Sequence, residues 1–133
     1  MNELTVEWVE KAEGDYATAG RELRARRQPN YDASCFHVQQ RAEKYLKAFL
    51  QEHGVAFSKT HDLIELLELC LPFDASFEFQ RNFLARLDRY AVRYRYPGES
   101  ADKAESRLAF QMVKTVRAFV REKLGLSDVE PEK

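Results

Sequence analysis

The sequence is short of features that several large protein classes require. It has only two cysteines, Cys35 and Cys70, each set in an apolar helical pattern and far from the other. That spacing suits neither a zinc site nor a redox pair, so both read as buried thiols of a reducing compartment. No stretch approaches the roughly 20 consecutive apolar residues of a membrane span. Met1 to Glu10 carries early acids and no apolar signal core, so a soluble, cytoplasmic protein is expected. A surplus of positive charge is also missing: 21 Lys and Arg stand against 22 Asp and Glu, a formal net charge of -1. A dedicated duplex-DNA binder needs a basic excess to displace counterions from phosphates, so any nucleic-acid contact must use a local patch. There is no Gly-rich phosphate loop, Walker sequence or nucleophile elbow, which removes a large class of enzymes. Nor does any alternating apolar and polar run argue for a strand.

What is present is a set of helical periodicities. The 133 residues are 44% hydrophobic and 32% charged, enough to fill one core and cover its outside. Trp8, Ala12, Tyr16, Ala19 and Leu23 recur at steps of three and four, predicting a first helix over about 4–27 that Pro29 and Asn30 stop. Cys35, Val38, Ala42, Tyr45, Leu46 and Phe49 mark a second helix from Tyr31 to about His53, with Gly54 as its breaker. Thr60 is the expected cap of a shorter third helix burying Leu63, Leu66, Leu67 and Cys70 and closed by Pro72. Phe79, Phe83, Leu87, Tyr90 and Tyr94 predict a fourth helix to about Arg95, where Pro97 and Gly98 force a turn. Ser100 is the expected N-cap of the last helix, whose buried face is Leu108, Met112, Val116, Phe119, Val120 and Leu124 before Gly125. These elements predict an all-α, up-down antiparallel bundle of four to five helices over 1–126, with a polar tail over 127–133.

Three places carry groups suited to phosphate. At about 100° per residue, His37, Gln40, Arg41 and Lys44 fall on one ridge of the second helix, away from its apolar stripe. An Arg fork, a Lys ammonium and an imidazole on one line can hold an anion; the alternative is a solvated face with contacts one turn apart. Lys59-Thr60-His61-Asp62 lies where a helix N-terminus offers backbone donors, and its other reading is an ordinary capped start. Arg93-Tyr94-Arg95-Tyr96-Pro97-Gly98 alternates charge with rings that can stack a base, or else supplies core tyrosines and rim arginines. The spacing of His37, His61 and Asp62 matches no zinc signature, and neither a metal nor a cofactor is expected.

Taken together, Trp8, Ala12, Asp15, the run from Tyr31 to Ala48, Lys59-Thr60-His61-Asp62-Leu63 and Arg95-Tyr96-Pro97 resemble the HEPN family (higher eukaryotes and prokaryotes nucleotide-binding). The segments Cys35 to Ala48 and Lys59 to Leu63 are the most specific part of the resemblance, which spans nearly the whole chain. It implies a four- to five-helix bundle, frequent homodimerisation, and pairing with a minimal nucleotidyltransferase in what resembles a toxin and antitoxin arrangement. Many members of the family are metal-independent ribonucleases marked by an Arg, four to six residues, and a His. Here no histidine has an Arg at that distance upstream, and the positions after Arg95 that would complete the motif are Ser100, Ala101 and Asp102. The leading expectation is a non-catalytic domain binding a nucleotide or RNA phosphate through Lys44, Lys59, Arg95 and His37. Beside it stand an RNA endonuclease using His37 or His61 with Arg95, and an assembly module whose polar residues join subunits.

Overall fold

The computed structural model describes residues 1–24, 30–93, 98 and 100–127, with side chains left aside at 15–19, 22–23 and 91–93. The described chain forms five helices: α1 (Glu3–Arg24), α2 (Tyr31–Glu52), α3 (Leu63–Cys70), α4 (Arg81–Arg93) and α5 (Lys103–Lys123), with a 3-10 turn over Ala75–Gln80. No strand occurs among the described residues, and no helix there is long and apolar enough to cross a membrane.

α2 is the axis of the bundle, packing against α1, α3, α4 and α5. Its direction relative to α1 follows from their ends: the Asn2 side chain donates to the Gln51 carbonyl at 3.2 Å, so the two run antiparallel. At the opposite end the Ala101 N–H, just ahead of α5, donates to Asp32 near the start of α2 at 2.6 Å. The connection over 53–62 returns along α2. Gly54 starts it at φ 67°, a left-handed conformation that glycine adopts without a Cβ clash. By the end of this return the His61 carbonyl lies against Gln39, 3.0 Å from its amide nitrogen.

The core is built from the expected stripes of α2 and α3. Cys35, Val38, Ala42, Tyr45, Leu46 and Phe49 are buried, as are Leu63, Leu66, Leu67 and Cys70. Burial pushes both thiols up to about 12, which makes them poor nucleophiles. Elsewhere the stripes shift. Phe79 falls in the 3-10 turn and is 82% exposed, while α4 buries Leu87 and Tyr90 as expected, packs Phe83 partly against the core and adds Leu84. On α5, Leu108 is exposed while Ser106, Ala109 and Val113 face inward beside Met112, Val116 and Val120. Two caps also differ from expectation. Asp62, not Thr60, caps α3, and Asp102, not Ser100, caps α5, its carboxylate accepting from the Glu105 N–H at 2.8 Å. A carboxylate two residues closer to the first turn accepts these N–H groups and meets the positive helix end. Tyr94 to Pro97 and residues 128–133 lie outside the described residues.

Candidate functional site

Of the four groups predicted to share the α2 ridge, three remain together. His37, Gln40 and Lys44 are half-buried along the outward side of the helix. Arg41 departs from them: its side chain is wholly buried and pairs through Nη2 with the Glu13 carboxylate of α1 at 3.0 Å. The physical reason is the central place of α2, which has neighbours on several sides, so a position one residue off the ridge turns inward.

The N-terminus of α3, expected to receive an external anion, is filled by the chain itself. Asp62 Oδ1 accepts from the N–H groups of Ile64 and Glu65 at 2.9 and 3.1 Å, and Asp88 Oδ1 of α4 accepts from Leu63 N–H at 3.0 Å. Thr60 Oγ1 accepts from the Asp62 N–H and donates to Glu65 at 2.9 Å. Burial, with the Asp62 and Glu43 carboxylates nearby, raises the pKa of Asp88 despite its bond from Leu63. A carboxyl raised on folding stabilises most below its unfolded pKa, and that contribution is lost as pH rises through the folded value. Asp88→Asn is therefore expected to be more stable than the parent at pH 7 by up to about 1 kcal/mol, with the difference vanishing near pH 3. Urea unfolding at the two pH values checks this; equal midpoints at pH 7 count against it.

His61, expected at the phosphate site, belongs to a group whose other members, Gln39, Glu43 and Lys47, carry no role in the sequence reading. Its Nδ1 lies 2.8 Å from Glu43 Oε1, and the other Glu43 oxygen accepts from Lys47 Nζ at 3.1 Å. Glu43 and Lys47 are almost completely buried, whereas the imidazole is 69% exposed. Lys47 Nζ sits 5.4 Å over the Trp8 ring and 5.9 Å over Phe57, so the aromatic faces share its charge. Gln39, also buried, donates to the His61 carbonyl and accepts from the Gln40 amide at 2.9 Å, tying the ridge to the loop. The signal that points to these residues is a step of four: Gln39, Glu43 and Lys47 form one polar line down α2.

A second missed residue is Glu13. Its Oε1 accepts from Arg117 Nε at 3.0 Å, Arg121 Nη1 at 2.9 Å and the Tyr45 hydroxyl, while Oε2 takes Arg41. Burial alone would raise the Glu13 pKa, but Arg41, Tyr45 and Arg117 outweigh it and hold it below the usual carboxylate range. Arg41 is itself pushed down to about 10 by burial, with Arg117 adding to the effect. The arrangement locks α1, α2 and α5 together and leaves Arg41 in a structural place.

Lys59 is exposed at the loop beside His61 and Asp62. Arg95 and Tyr96 lie outside the described residues. Among those described, no three His, Cys, Asp or Glu side chains gather as metal ligands.

Residues 5–124 match the family model described as HEPN domain. The crystal structure of TT1696 from Thermus thermophilus is similar over 90% of this chain and 97% of that one, with a TM-score of 0.77 and 28% identity. No curated protein matches the chain.

Proposed function

Because the chain belongs to the HEPN domain family, we propose that it binds a nucleotide or RNA phosphate without catalysis of its own, as the partner of a minimal nucleotidyltransferase in the cytoplasm. The unit is a homodimer of bundles spanning 1–126, and the arrangement is of the toxin and antitoxin kind that the family commonly forms. The observation that carries the reading is the joined surface of α2 and the following loop. His37, Gln40 and Lys44 stand on one ridge, and the Gln40–Gln39–His61 hydrogen-bond chain fixes that ridge to the loop bearing Lys59. Side chains held by buried neighbours lose less entropy on binding than mobile ones. Lys44 and Lys59 supply the charge, Gln40 an amide, and Arg95 with Tyr96 the guanidinium and stacking ring of the α4–α5 connection. Arg41 is left out of this set because its guanidinium is committed inside the bundle. Asp62 contributes by capping α3, its carboxylate taken by the Ile64 and Glu65 N–H groups, not by touching the anion.

Lys44→Ala is expected to weaken the binding of a labelled single-stranded RNA by about tenfold at low salt. It should also flatten the dependence of log K on log salt by about 0.7, one phosphate contact on a single strand. Fluorescence anisotropy across a salt series measures both. No binding by the parent at low salt would sink the reading, and so would a variant with unchanged affinity and slope.

A further inference from the structure

Between the end of the 3-10 turn and the C-terminal half of α5 lies a depression of about 550 Å³, lined by Gln80, Thr115, Ala118, Phe119, Glu122 and Leu126. That volume is in the range of small-molecule sites, about 300–1,000 Å³. None of these residues belongs to the α2 ridge or to the loop that carries His61.

The polar groups of the depression share a shortage of donors. Gln80 is 8% exposed, and its Oε1 is enclosed with no hydrogen-bond partner among the described residues. An enclosed carbonyl oxygen has given up its bonds to water and gained none, so its presence in a folded protein calls for a cause. The terminal amide turns about a soft torsion, and that turn can bring the oxygen to the opening. The Glu122 carboxylate also makes no ion pair or hydrogen bond among the described residues. The cations on either side of it in the chain are spent elsewhere, Arg121 on Glu13 and the Ser127 carbonyl, Lys123 on Asp74 at 2.8 Å. Thr115 Oγ1 donates to the Gln111 carbonyl at 3.3 Å and keeps its lone pairs. Three acceptors, one of them charged, thus stand beside the apolar Ala118, Phe119 and Leu126.

The complement of such a lining is a positively charged group, rich in donors, on an apolar stem. A phosphate or carboxylate is opposed by Glu122, and an alcohol brings one donor where a primary ammonium brings three. We propose that the depression binds a small aliphatic amine, its ammonium held by Glu122, Thr115 and Gln80 and its hydrocarbon stem laid against Ala118, Phe119 and Leu126.

The probe is n-hexylammonium, titrated into the full chain and followed by two-dimensional NMR. It is expected to shift the Gln80 side-chain amide, the Thr115 and Ala118 methyls and Leu126, with a Kd of about 1 mM, and n-hexanol should bind about tenfold more weakly. Glu122→Gln, a change at an exposed side chain, should weaken the amine about fivefold and leave hexanol as it was. Gln80→Leu should weaken the amine about tenfold without lowering the melting temperature, since it removes an orphaned oxygen and keeps the volume. A Gln80 that serves folding alone would give the reverse, a lower melting temperature with unchanged affinity, and that overturns its part in the site. Nα-acetyl-lysine methylamide carries the same ammonium on a peptide; tighter binding of it than of hexylammonium overturns the free amine in favour of a protein's lysine side chain. Equal affinities for hexylammonium and hexanol, an unchanged amine affinity in Glu122→Gln, or shifts confined to residues away from the depression overturn the site itself, whether or not the chain binds nucleotide.

Discussion

Replacing Glu13 by alanine is expected to lower the melting temperature at pH 7 by about 10–20 °C. One carboxylate joins three helices: it accepts from Arg41 and Tyr45 of α2 and from Arg117 and Arg121 of α5. Arg41 and Arg117 are 0% and 2% exposed, so water cannot take over the lost bonds without opening the interface. Removing one partner of a buried charge group costs about 3–5 kcal/mol. For a domain of this size each kcal/mol moves the midpoint by roughly 3–5 °C. Glu13→Gln keeps an acceptor oxygen and should lose about half as much. The pH dependence has a definite sign. The folded pKa of Glu13 is held below its ordinary value of 4.5, so its contribution is complete above the unfolded pKa and is lost as pH falls through the folded one. The gap between parent and Glu13→Ala should therefore close in strong acid. Thermal melts followed by circular dichroism at pH 7 and pH 2 measure it. A variant melting within a few degrees of the parent at pH 7 would mean that the network stabilises nothing.

The contrast between Glu13 and the α2 ridge shows where sequence reading works and where it stops. The stripe from Cys35 to Phe49 was legible because spacing along one helix reports which of its residues share a face. The same spacing placed Arg41 beside His37 and Lys44, since it knows nothing of how many neighbours a helix has; α2 has four, and Arg41 turns toward one of them. Glu13 carries no local mark, because its partners lie 28 to 108 positions away. The caps failed for a different reason. Thr60 and Asp62, like Ser100 and Asp102, are acceptable caps two residues apart, and the choice depends on where the first turn forms. Phe79 was read into α4 by extending a 100° phase through residues that form a 3-10 turn, where that phase does not hold. The His61 group was half legible: the step of four through Gln39, Glu43 and Lys47 can be seen, but the return of the 53–62 connection that delivers His61 to it cannot.

Lys47→Met is expected to cost about 3 kcal/mol, and adding Glu43→Leu to it should restore stability to within about 1 kcal/mol of the parent. The single change leaves the Glu43 carboxylate, 4% exposed, without the ammonium 3.1 Å away. The double change replaces both charges by apolar groups of similar size in a site lined by Trp8 and Phe57, where a buried ion pair has no inherent advantage over packing. Urea unfolding of the parent, both single variants and the double gives the coupling energy directly. Additive losses would mean that the two side chains do not act as a pair. The double variant also separates holding the bundle from orienting His61, because it removes the carboxylate at Nδ1 while leaving the imidazole in place. If the buried pair exists to hold the bundle, the double variant should be less stable than the parent. If it exists to set the imidazole, the double variant should be as stable as the parent while the His61 ring, freed from Glu43, gains mobility. Folding energetics alone give the charged pair no advantage over the apolar version, so a charge pair beneath an exposed, held histidine is better accounted for by the second outcome.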